Sequence, residues 1–180
     1  MALTNYTIDT AHSSVGFSVR HMVVAKTRGR FTKFSGAFAF DPQDASKSHV
    51  AVTIDVSSIE THDAQRDGHL KSADFFDAEN HKEITFKSKR VEGSGADLKV
   101  IGDLTIRGTT HEVALDVEYA GGGKDPWGNE KAGFSAKTSI NRKDYGLSWN
   151  AALETGGVLV GEKVEITLEI EAIQAAEKAA

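Results

Sequence analysis

Apolar residues recur at every second position along most of this chain, a spacing that belongs to strands with one buried face and not to helices. Val15, Phe17 and Val19 alternate with Ser14, Gly16, Ser18 and Arg20. Phe34, Phe38 and Phe40 alternate with Ser35, Ala37 and Ala39, and Val50, Val52, Ile54 and Val56 follow, then Ile84 and Phe86. Leu98, Val100, Leu104 and Ile106 share one parity, and Val113, Leu115, Val117 and Tyr119 another. Phe134, Ala136 and Ile140 come next, and the last run carries Val164, Ile166, Leu168 and Ile170. The pattern predicts eight strands, with a short lead-in over residues 6–9.

Turn residues separate the runs. Arg107-Gly108-Thr109 predicts a tight hairpin, Gly93-Ser94-Gly95 a slightly longer one, and Gly121 to Pro126 an exposed loop. Such short links favour an up-and-down antiparallel meander. The stretch THDAQRDGHLKSADFFDAEN, residues 61–80, breaks the alternation and predicts one or two short helices between the third and fourth strands, with Thr61 as N-cap.

The opposite parity is charged: Lys163, Glu165, Glu169 and Glu171 in the last strand, Glu112, Asp116 and Glu118 in the sixth. A barrel that crosses a membrane would have its apolar side chains outside. The expected architecture is therefore all-β, a single eight-stranded antiparallel barrel in water, with a lumen sized for packed side chains or one small ligand. A β-sandwich with a solid core satisfies the same periodicity. At 180 residues one domain is expected over 1–180.

Composition narrows the function. Acidic residues outnumber basic ones 26 to 21, for a net charge of −5, which argues against nucleic acid as a partner. No cysteine is present, so disulfides and thiolate chemistry are excluded. The N-terminal residues show neither a basic region nor an apolar stretch, which reads as a cytoplasmic protein, although a chain trimmed of a leader would look the same. The seven histidines show no metal-binding spacing, and neither a phosphate-binding glycine loop nor a nucleophile elbow is found. No metal, no cofactor and no catalytic residue is expected on these grounds.

The expected lumen is lined by Val15, Phe17, Val19, Phe31, Phe38, Phe40, Val52, Ile54, Phe86, Leu104, Ile106, Leu115, Phe134, Ile140 and Trp149, with Phe75 and Phe76 from the insert. His21, Arg30 and Arg142 fall at inward parity, and Arg66 and His69 share a face of the predicted helix. These five are the candidates for a polar mouth that meets a ligand's head group. Each arginine at depth would need an acidic partner or a bound anion. Placement at strand ends, or a bulge that flips the register, would explain the arginines structurally.

The ordered segments SSVGFSVRHM (13–22), RGRFTKFSGAFAFDP (28–42), SIETHDAQRDGHLKSADFFDAENHKEITFKS (58–88), GDLTIRGTTHEV (102–113) and INRKDYGLSWN (140–150) resemble the YceI-like family of polyisoprenoid-binding proteins. The resemblance covers residues 6–172. It implies an extended lipocalin-like barrel with a helical insertion and an apolar pore holding a long isoprenoid or other lipid chain. Family positions match at His21, Arg30, Arg66, His69, Arg142 and Trp149. Family members are often secreted or periplasmic, and some form dimers, so a homodimer is one assembly that the resemblance allows. The leader usual in the family is not seen, and Lys82 replaces the family's proline before the fourth strand. The leading expectation is a lipid carrier, store or sequestration protein, not an enzyme. The alternatives are a lipid-modifying enzyme (isomerase or cyclase) using His21 or His69 as acid and base, and a stress-linked scaffold with no ligand.

Overall fold

The computed structural model describes residues 3–22, 25–153 and 157–175. Its strands are β1 (Thr4–Ile8), β2 (Ser14–His21), β3 (Ala25–Phe31), β4 (Phe34–Phe40), β5 (His49–Asp55), β6 (Ile59–Glu60), β7 (Glu83–Ser94), β8 (Asp97–Ile106), β9 (Thr109–Lys124), β10 (Glu130–Asn141) and β11 (Val160–Gln174). Three of the neighbouring pairs are halves of one bent strand. β1 and β2 both lie against β11, β1 also pairs β4 while β2 pairs β3, and β5 and β6 flank those same two partners. The result is eight antiparallel strands in sequential order, closed where β11 meets β1 and β2. Closure pairs the long strands on both sides; among the described residues an edge stays open at β6 and along the first part of β3.

The bends have local causes. Between β1 and β2, Asp9 caps a short turn (Thr10–His12) by accepting the Ala11 amide. Between β5 and β6, Asp55 caps another (Val56–Ser58). Between β3 and β4, Thr32 and Lys33 interrupt the alternation, so that Phe31 is buried and Arg30, its neighbour, is exposed. This corrects the inward placement of Arg30. Parity counted back from Phe34 fails across the bend, and Arg30 instead pairs with Glu60 on the outer surface at 3.1 Å.

Hairpin chemistry behaves as expected at Arg107-Gly108, where φ values of 49° and 73° make the two-residue turn that matches strand twist. The glycine run differs from expectation. Gly121 to Lys124 continue β9 and pair with β10, and the turn begins at Asp125, whose carboxylate accepts the Trp127 and Asn129 amides. Glycine favours loops, but here pairing with β10 carries the run on as strand past a bulge at Gly121, whose φ is 103°.

One α-helix, α1 (Ala64–Lys71), occupies the insert, and turns follow it to residue 80. Its N-cap is Asp63, accepting the Arg66 amide at 3.1 Å, and not Thr61. Thr61 is 2% exposed, and its hydroxyl and amide both bond the Asp67 carboxylate; His62 at φ 63° breaks the chain before the helix can begin. No helix among the described residues is long and apolar enough to cross a membrane.

Candidate ligand tunnel

The barrel is hollow. A lumen of about 380 Å³ runs inside it, and β11 alone lines it from Val160 to Ile170. That segment spans about 33 Å of strand, or about 25 Å along the axis at the usual barrel tilt. The lumen is therefore drawn out along the barrel axis.

The wall comes from the inward parity of every long strand. Val15, Phe17 and Val19 (β2), Phe31 (β3), Phe38 and Phe40 (β4), Val52 and Ile54 (β5) and Phe86 (β7) line it. So do Leu104 and Ile106 (β8), Leu115 (β9), and Phe134 and Ile140 (β10), with Phe75, Phe76 and Trp149 from the connections. At the end near Phe40, rings fill the barrel. Phe134 meets Phe38, Phe40 and Tyr119 edge-on at 5.1–5.2 Å between centroids, and Tyr6 stacks on Phe38 at 5.2 Å.

The opposite end carries α1, the segment after β10 and most of the polar candidates. His21, Arg66, His69 and Arg142 line the tunnel there; Arg30 does not. Their partners differ from expectation. Arg142 is 4% exposed, yet among the described residues no carboxylate forms an ion pair with it. It donates from Nε to the Gly161 carbonyl at 2.7 Å, and from its two Nη atoms to the carbonyls of Leu147, Trp149 (3.0 Å) and Val160 (3.2 Å). Four backbone acceptors thus replace the acid or anion that burial was expected to require. Burial pushes the guanidinium down from its ordinary pKa while nearby Glu162 opposes the shift. An arginine stays protonated regardless.

Arg66 donates from Nε to the Thr61 hydroxyl at 2.8 Å and from Nη2 to the Thr61 carbonyl at 2.6 Å. His69 packs edge-on against Trp149, 4.6 Å between centroids, and against Phe75, while its Nε2 lies 2.8 Å from Asp74. Trp149, Phe75 and His69 form one aromatic cover over the tunnel end. Arg107, read from sequence only as a turn residue, ties that cover down by donating to the carbonyls of Phe75 (2.9 Å) and Gly146 (3.2 Å).

Tyr145 escaped sequence reasoning because it lies outside any alternating run. It ends the short turn Arg142–Tyr145, lines the tunnel, is 2% exposed and packs edge-on against His111. Its hydroxyl is the one buried side-chain polar atom among the described residues without a hydrogen-bond partner. Burial, with a contribution from Asp144, pushes its pKa up to about 12, so it remains a neutral donor at physiological pH. An unpaired buried hydroxyl costs about 1–3 kcal/mol.

The fold also gathers Asp9, His12 and Glu171 on the outside. Lys131 sits among them, 3.2 Å from Asp9 and 2.7 Å from Glu171, and supplies the positive charge this acidic group needs.

The YceI-like domain model matches residues 6–172. A UPF0312 protein of Staphylococcus aureus strain MSSA476 is 44% identical over 170 residues, covering 94% of this chain and 97% of the relative. Among solved structures, Burkholderia cenocepacia BcnA superposes with a TM-score of 0.80 at 28% identity, covering 91% of this chain and 98% of its own. The Campylobacter jejuni YceI protein gives 0.74 at 33% identity, with 93% and 96% covered. A polyisoprenoid-binding domain from Saccharophagus degradans, at 16% identity and a TM-score of 0.68, shares the fold over 97% of this chain and 100% of that one.

Proposed function

The chain belongs to the YceI-like family, and from that premise we propose that it binds one long-chain isoprenoid or related lipid in its tunnel as a non-catalytic carrier or store. The observation that carries this reading is the shape and lining of the lumen. About 380 Å³ drawn out along a barrel axis and walled by apolar side chains suits one extended chain. Apolar contact along its length stabilises such a chain by about 0.8 kcal/mol per methylene-sized group. The polyisoprenoid-binding description of the Saccharophagus degradans domain supports the ligand class. The aromatic cover of His69, Phe75 and Trp149 has the place of a lid over the chain's end.

The test is organic extraction and mass spectrometry of protein purified without detergent. A prenyl or other long aliphatic chain at near-stoichiometric yield is expected. Preparations from several hosts that release nothing beyond solvent would sink the proposal.

A further inference from the structure

Residues 10–40 hold no aspartate or glutamate, although the chain as a whole is acidic, and they carry Arg20, Lys26, Arg28, Arg30 and Lys33. The first four are exposed on β2 and β3, strands that also bring Arg20, His21 and Thr27 to the polar end of the tunnel. Arg20 stands directly opposite Lys26, and Arg28 lies two residues further along the same face. Like charges set opposite each other weaken a strand pair. Glu165 balances Lys26 at 3.2 Å and Glu60 balances Arg30 at 3.1 Å, but among the described residues no acid pairs with Arg20 or Arg28. Beside these charges lies an apolar rim. Met22 is 49% exposed and Val158 44%, and the Met22 amide donates to the carbonyl of tunnel-lining Leu159 at 2.9 Å, which joins the two segments. Resting on the proposed tunnel function, we infer that this basic and apolar rim docks the polar end of the tunnel on a bilayer that carries anionic lipid, so that the ligand passes between bilayer and lumen without crossing water.

Both halves of the rim suit a membrane interface. Exposed apolar side chains enter the acyl boundary, and the basic ones around them meet lipid phosphates. A second copy of this chain fits poorly, because pairing two β3 edges would set Lys26, Arg28 and Arg30 against the same residues of the other copy. Protection of an open edge would account for basic residues on β3. It does not account for Arg20, which lies one strand inside that edge and faces Lys26. Nucleic acid would use the charges and leave Met22 and Val158 in water.

The test is flotation of the protein with vesicles of phosphatidylcholine alone and of phosphatidylcholine with about one-third phosphatidylglycerol. Wild type is expected to float with the anionic vesicles at low salt, to be released as salt screens the charges, and to leave the neutral vesicles bare. Arg20→Gln combined with Arg28→Gln should weaken binding about ten- to thirtyfold. Met22→Asn, which suits the positive φ at that position, should weaken it about fivefold. Lys99→Gln combined with Lys137→Gln removes the same charge from β8 and β10, beside Asp116, and should change binding less than about threefold. The thermal midpoint of the double arginine variant should equal or exceed wild type, because Lys26 loses its like-charged opposite. A lower midpoint would assign the arginines to the fold and overturn the inference. So would equal binding to neutral vesicles, equal weakening by both charge pairs, or displacement of the vesicles by a DNA oligonucleotide. Lipid extraction reads the tunnel function separately, so recovered lipid without vesicle binding overturns the docking alone.

Discussion

Arg142 holds the polar end of the barrel together from a single side chain. Its donors reach carbonyls at Leu147, Trp149, Val160 and Gly161, so one guanidinium closes the excursion between β10 and β11. Parity suggested its burial, but alternation along a strand says nothing of which acceptors a distant loop will bring. Replacement by methionine keeps the stem and leaves several buried carbonyls unpaired at about 1–3 kcal/mol each. Arg142→Met is expected to lose about 3 kcal/mol or more in urea unfolding. Arg142→Lys should recover only part of that, since an ammonium cannot reproduce the planar fork. A loss under about 1 kcal/mol for Arg142→Met would contradict this role.

Among the elements, β3 shows where periodicity stops being informative. The segment AKTRGRF has almost no apolar alternation, and it becomes a strand because β2 supplies backbone partners along its whole length, with β6 added at Arg30 and Phe31. Gly29 lies opposite Phe17, and the Phe17 ring covers it: a Cβ on Gly29 would sit 2.4 Å from the ring's Cζ. Because Phe17 lines the tunnel, a side chain at Gly29 must drive the ring into the lumen. Gly29→Val is expected to cost about 1–3 kcal/mol in stability through overpacking. It should also reduce the yield of extracted lipid. Wild-type lipid content together with wild-type stability would contradict the packing described. Helix α1 is likewise placed by its ends, with Asp63 capping the start and Arg107 holding the chain that follows.

For the whole molecule, the tunnel is a cost that a ligand removes. A lumen of about 380 Å³ inside a protein interior forgoes the contacts that dense packing provides. Occupancy should therefore register as stability. At a free ligand concentration one hundred times Kd, linkage contributes about 2.7 kcal/mol, or roughly 5–10 °C in thermal midpoint for a chain of this size. Differential scanning calorimetry of delipidated and reloaded protein reads this directly, and coincident midpoints would argue against a chain in the lumen.

Period-two alternation, the tight turn at Arg107-Gly108 and the charged outer parity were sufficient to determine antiparallel strands around an apolar interior; the pairing of β11 with β1 and β2 decided for a closed barrel over a sandwich. These are properties of neighbouring residues, set by backbone geometry and the hydrophobic effect, so they can be read along the chain. The inward aromatics were legible for the same reason. The polar residues were legible only in part, since His21, Arg66, His69 and Arg142 line that interior and Arg30 does not. Arg30 turned outward because two residues at a bend reset the parity, and Arg142 found carbonyls where an acid was expected. Tyr145 entered the wall from a loop with no pattern of its own. Contacts between segments far apart in sequence decide such matters, and they exist only once the strands have closed around a common lumen. The apolar interior was written in the alternation; its hollowness and its polar end were settled by tertiary packing.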